Sequence, residues 1–189
     1  MGIDQKTLAA LREAHIPVPL QGLMGQQGII DQCVAQAVPA GVTSGYTGQF
    51  RAGNILRATD SYKMSGKGLW LVGSEAPDIV AAAITQSLLL DSHIENALFI
   101  NVLDFIEAES PNGDSLGDRR FVDLLVLQGV GDHHQSLSGY SDSLLYGLLT
   151  RRYARGLPTL VTTEFQPDRC ALPAHLIKKA FIVVTFNEG

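Results

Sequence analysis

The sequence predicts a three-layer α/β domain built on a mainly parallel five-stranded sheet. Three observations carry this expectation. Short, mainly apolar runs recur at 69–73, 97–102, 121–127, 159–163 and 181–186, as strands buried on both faces require. Helical patterns stand between them, which is the order of a sheet covered on both sides. A chain of 189 residues, 46% hydrophobic and 17% charged, is long and apolar enough to bury a sizeable core.

The elements follow in order. Residues 1–60 read as an N-terminal extension and residues 61–189 as the α/β domain. In the extension, residues 4–14 suit a short helix, with Asp4 as N-cap and Leu8, Leu11 and Ala14 on one face. Pro17 and Pro19 then force an extended segment. A second helix is expected at 29–38, ended by Pro39 and Gly41, and the glycine-rich stretch 41–59 reads as a loop or irregular strands. In the domain, Leu69-Trp70-Leu71-Val72-Gly73 is the first buried strand. Residues 77–90, alanine-rich and apolar on most faces, suit a buried helix with Pro77 near its first turn. The second strand, 97–102, leads into a short helix at 103–108 and a polar loop at 110–119. The third strand is expected over 121–127. Residues 141–155 form a helix whose stripe is Leu144, Leu145, Leu148, Leu149 and Tyr153, ended by Gly156 as the C′ residue and Pro158. Strands four and five follow at 159–163 and 181–186.

Fourteen Lys and Arg against 19 Asp and Glu leave a net charge of −5, which counts against a protein that coats DNA or RNA. Two cysteines, Cys33 and Cys170, make neither a disulfide framework nor a zinc knuckle and read as reduced thiols. The first twenty residues lack the pattern of a signal peptide, and no apolar stretch reaches membrane-spanning length. A soluble, cytoplasmic protein is expected.

In folds of this class the turn after the first strand holds the ligand. Here it reads Gly73-Ser74-Glu75-Ala76-Pro77-Asp78-Ile79-Val80. A phosphate-binding loop needs glycines, then Lys for the β/γ-phosphates and Ser or Thr for Mg²⁺. This turn supplies the first glycine, then the carboxylates of Glu75 and Asp78, a proline without an N–H, and Ile79-Val80 where Lys and Ser/Thr would stand. The third strand runs into Gln128-Gly129, neither of which neutralises Mg²⁺ as a carboxylate does. Asp132 falls a few residues late.

Residues 66–186 nevertheless resemble the AAA+ core of the bacterial helicase-loader and transposase-helper family (DnaC, DnaI and IstB type). Gly66-Lys67-Gly68-Leu69-Trp70-Leu71-Val72-Gly73 is similar to the strand leading into the family's Walker A loop. Asp123-Leu124-Leu125-Val126-Leu127-Gln128-Gly129-Val130-Gly131 is similar to its Walker B strand, with the paired acids replaced. The segment from Arg152-Tyr153 through Pro158-Thr159 to Thr162-Thr163 resembles the family's helix ending in Arg-Tyr and the strand that closes at sensor 1, where Glu164 stands in place of Asn. Lys178 and Lys179 fall where the family presents arginines that reach a neighbour's nucleotide, and lysine lacks the bidentate fork. The chain stops after the fifth strand, so no helical lid is expected.

The resemblance implies a P-loop/AAA+-like core whose nucleotide site, Gly73, Ser74, Glu75, Asp78, Ile79, Val80, Gln128, Gly129 and Glu164, is degenerate. It implies a pseudo-ATPase without a cofactor, acting as an adaptor or regulator in DNA replication or mobile-element processes. The replicative helicase or another AAA+ protein is the implied partner, and a monomer or symmetric homodimer the implied state. Two alternatives stay open: residual nucleotide binding or weak ATPase activity, and binding of single-stranded DNA. For the latter the candidate contacts are Arg119, Arg120, Arg151, Arg155, Lys178 and Lys179; a solvated basic helix end is the simpler reading of Arg151, Arg152 and Arg155. Asp132, His133 and His134 lack a third ligand at metal-binding spacing. Ser136, Ser138 and Ser141 lack a nucleophile elbow.

Overall fold

A computed structural model of the chain describes residues 5–15, 68–74, 76–90, 94–131, 139–170 and 172–186. The helix expected at 29–38, the stretch 41–59, and Asp132, His133, His134, Ser136 and Ser138 lie outside the described residues. Each apolar run of the domain forms a strand of five residues: β1 Gly68–Val72, β2 Ala97–Asn101, β3 Leu124–Gln128, β4 Thr159–Thr163 and β5 Phe181–Thr185. Every pairing is parallel, in the order β2-β3-β4-β1-β5. Central strands covered above and below have no wet face, and every residue of β1 and β4 is buried.

Five helices are described: α1 Gln5–Glu13, α2 Ala76–Leu90, α3 Val102–Ala108, α4 Gly139–Ala154 and α5 Ala174–Ala180. Side chains alternate across the sheet. Leu69 and Leu71 of β1 join Leu124, Val126, Leu160 and the buried stripe of α2 on one face. Trp70 and Val72 join Leu125, Leu127, Val161 and residues of α3, α4 and α5 on the other. Trp70 meets Phe181 edge to face, with centroids 5.4 Å apart. The α1 segment belongs to the first face: Ala14, just past the helix, is fully buried there, and its carbonyl accepts from Phe99 N at 2.7 Å, so it caps the edge of β2. Among the described residues no helix is long and apolar enough to cross a membrane.

Two boundaries differ from expectation for local reasons. The third strand begins at Leu124, not at Phe121, because residues 121–123 have other partners. Gly117–Phe121 winds as a 3₁₀ turn inside what reads as a featureless loop. Asp123 then takes its side chain out of the ladder: its carboxylate accepts from Glu95 N at 2.8 Å, and its own N–H donates to Asn96 Oδ1 at 2.7 Å. Asn101, the last residue of β2, caps α3 by accepting from Leu103 N at 2.9 Å, so strand passes to helix with no loop between.

The end of α4 follows expectation in one respect and departs from it in another. Gly156 has φ +67°, and the pair of bonds Gly156 N to Tyr153 O and Leu157 N to Arg152 O closes the helix as a Schellman motif. Arg152, in contrast, is no part of a solvated helix end. It is 0% exposed, with Nε donating to Thr159 Oγ1 (2.9 Å), Nη1 to the carbonyls of Arg120 (2.8 Å) and Val122 (2.9 Å), and Nη2 to the carbonyl of Pro158 (2.7 Å). A single guanidinium thereby ties the 3₁₀ turn, the start of β3 and the start of β4 to α4.

Candidate functional site

The strand order fixes where a ligand would go. From β1 the chain crosses by α2 on one face to the far edge strand β2; from β4 it crosses by α5 on the other face to β5. The two connections leave these neighbouring strands in opposite directions on opposite faces, and the crevice outside the carboxyl ends of β1 and β4 is the switch point of the sheet. The register brings Val72 beside Thr163 and Gln128 beside Thr162. Gly73, Ser74, Gln128, Gly129 and Glu164 of the sequence-derived site therefore gather at one edge. Glu75 lies outside the described residues, as does the side chain of Ile79. Val80 is fully buried in the core between α2 and the sheet. Asp78 stands in the first turn of α2, and its Oδ1 is buried without a hydrogen-bond partner among the described residues.

Only residues 73–75 join β1 to α2. A phosphate cradle needs a longer glycine-rich loop that turns several backbone N–H groups inward before the helix begins. Here the Gly73 N–H donates to Thr163 O at 2.9 Å. Pro77, which has no N–H, packs against Gly73: a Cβ built there would lie 3.3 Å from Pro77 Cδ and 3.2 Å from Phe186 Cβ. The Gly129 N–H donates to Thr162 O at 2.9 Å. At the end of β3 stands the amide of Gln128, and the carboxylate of Glu164 is exposed beyond β4. Among the described residues no group of three or more His, Cys, Asp or Glu could hold a metal ion.

The basic residues split into groups. Arg119 turns toward α1 and meets His15 Nε2 at 3.0 Å. Lys178 and Lys179 are exposed on α5. Arg120, Arg151 and Arg155 come together on the α3–α4 face around Phe121, whose ring lies 3.9 Å from the Arg155 guanidinium and 5.4 Å from that of Arg120. The anchor of this face is a residue the sequence does not single out. Glu109 Oε2 accepts from Arg120 at 2.6 Å, while Oε1 accepts from Ser115 Oγ (2.9 Å) and Leu116 N (2.8 Å). Its side chain is 7% exposed, so this ion pair organises the loop 110–116 rather than decorating the surface. The only sequence signal for it is an acid at the end of a short helix, which is too common to notice.

No family model and no curated protein matches the chain. Solved structures do. DnaI aligns over 71% of this chain and 85% of its own, at 21% identity and a TM-score of 0.54. A DNA replication initiation factor aligns over 73% of this chain and 46% of its own, at 15% identity and 0.52. Domain III of the Thermotoga maritima replication initiation protein DnaA aligns over 70% and 61%, at 12% identity and 0.52. At such identities the likeness is one of backbone. The chain has the AAA+-like P-loop fold.

Proposed function

We propose that this protein is a non-catalytic AAA+-like adaptor that acts by contact with another protein in DNA replication or a related mobile-element process in the cytoplasm. The observation that carries the reading is the connection 73–75, three residues that we read as too short to wrap a polyphosphate, with Gly73 packed against Pro77 and Phe186. Gln128 at the end of β3 supports it, since an amide cannot neutralise Mg²⁺. The link to replication rests on the fold shared with DnaI and with DnaA domain III, and on the motif order at 66–186. Without a shared nucleotide to bridge subunits, the protein is a monomer or a symmetric dimer by this reading, not an ATP-dependent ring.

Mixing the purified chain with the replicative helicase of its own organism, followed by size-exclusion chromatography with light scattering, tests the reading. A complex that forms equally with and without ATP is the expected result. A helicase that elutes unchanged at tens of micromolar chain, or a complex that needs ATP, would count against it.

A further inference from the structure

The α3–α4 face carries a groove of about 110 Å³ lined by Phe105, Phe121, Leu144, Leu148, Arg120 and Arg151, with Gly147 and the Glu109 carboxylate completing its wall. It is remote from the carboxyl edge of the sheet, because Phe121 and Arg151 sit where the chain is about to enter β3 and β4. We infer that this groove docks a segment of a partner protein that inserts one apolar side chain between flanking carboxylates. The inference rests on the reading of the protein as one that works by contact.

Three features lead there. The first is Gly147, inside the 16-residue helix α4. A glycine in a helix interior is less stable than alanine because the unfolded chain has more freedom to lose. A Cβ at Gly147 would meet no atom within 4 Å, so nothing in the chain demands glycine there. What glycine does provide is an open helix backbone in the groove wall, where another chain can approach closely. The second is charge. Arg151 and Arg155 are exposed, and the ion pairs among the described residues involve neither of them. The one carboxylate in the lining, Glu109, is already held by Arg120, Ser115 and Leu116. An uncancelled basic rim on a chain of net charge −5 selects an anionic partner.

The third feature decides the class of anion. The floor is apolar, with Phe105 and Leu148 buried beneath it, and the volume suits one side chain. Arg155 covers the Phe121 ring at 3.9 Å, so that ring face offers no platform for a stacked base. An acidic peptide with an apolar anchor satisfies floor and rim together; a single-stranded nucleic acid uses only the rim.

Display of random dodecapeptides against the purified chain, then anisotropy titration of the enriched peptides, reads the groove directly. Enriched sequences should carry an apolar or aromatic residue between Asp or Glu. Gly147→Leu, which fills open space, and Arg151→Glu should each weaken them at least about tenfold, while both variants keep the wild-type circular dichroism and Gly147→Leu melts no lower than the wild type. A labelled dT20 oligonucleotide serves as the nucleic-acid probe. Failure to enrich any peptide overturns the proposal, as does dT20 binding that Arg151→Glu abolishes while no peptide binds. Peptides indifferent to both substitutions overturn the groove but leave the contact-based function standing, which only the helicase titration addresses.

Discussion

Arg152 shows how far a single side chain can be misjudged from its charge. It lies three residues after Leu149, four after Leu148 and seven after Leu145, all buried, so helical spacing puts it on the core stripe of α4. Charge argues for solvent, geometry for burial, and geometry wins because four acceptors converge on the guanidinium: three backbone carbonyls and a threonine hydroxyl. Removing it strands those acceptors in the interior. Arg152→Met is expected to lower stability by about 3–5 kcal/mol, read as a shift of the urea midpoint at unchanged slope. Arg152→Lys should recover little, since one ammonium cannot reach Thr159, Pro158 and the Arg120–Val122 carbonyls at once. A loss below about 1 kcal/mol in Arg152→Met would mean that water reaches those carbonyls.

Among the elements, two glycines make opposite predictions. Gly68 opens β1 where the backbone of β4 passes closest: a Cβ there would sit 2.0 Å from Thr159 O and 2.8 Å from the Phe181 ring. Gly68→Ala should therefore cost about 2–3 kcal/mol, because strands paired on both sides cannot part locally. Gly147 faces open space, and Gly147→Ala should raise stability by about 0.5–1 kcal/mol. Chemical denaturation of both variants checks the pair; a destabilised Gly147→Ala would mean that the groove is closed in solution. The helix α2 was plain in the sequence because it is apolar on most faces, and the five strands because they are short, mainly apolar runs. The start of β3 was not, since Phe121 and Val122 suit a strand in every local respect. Only the side chain of Asp123, reaching Glu95 and Asn96 across 27 to 28 residues of sequence, ends the pairing at Leu124.

For the whole molecule, the sheet order places a crevice at the carboxyl edge, and we read the residues at that edge as a mismatch to a nucleotide. The mismatch was partly legible: Ile79-Val80 and Gln128-Gly129 can be read directly from the sequence. So was the length of the connection between β1 and α2: a strand ending at Gly73 and a helix from 77 leave three residues, and the structure has three, shifted by one because α2 starts at Ala76, before the proline. The arginine face was legible only as scattered charges; the fold sorts Arg120, Arg151 and Arg155 onto one surface and sends Arg119 to His15.

The central claim is that an AAA+-like fold here works without a nucleotide, and a thermal-shift titration with ATP, ADP and GTP, each with Mg²⁺, tests it most directly. A ligand bound only to the folded state at a hundred times its dissociation constant adds about 2.7 kcal/mol, or roughly 5–11 °C for a domain of this size. The account predicts no saturable shift up to millimolar nucleotide. A shift that saturates with ATP and is lost on Gly73→Val, at the edge beside Pro77 and Phe186, would contradict it and restore a working nucleotide site.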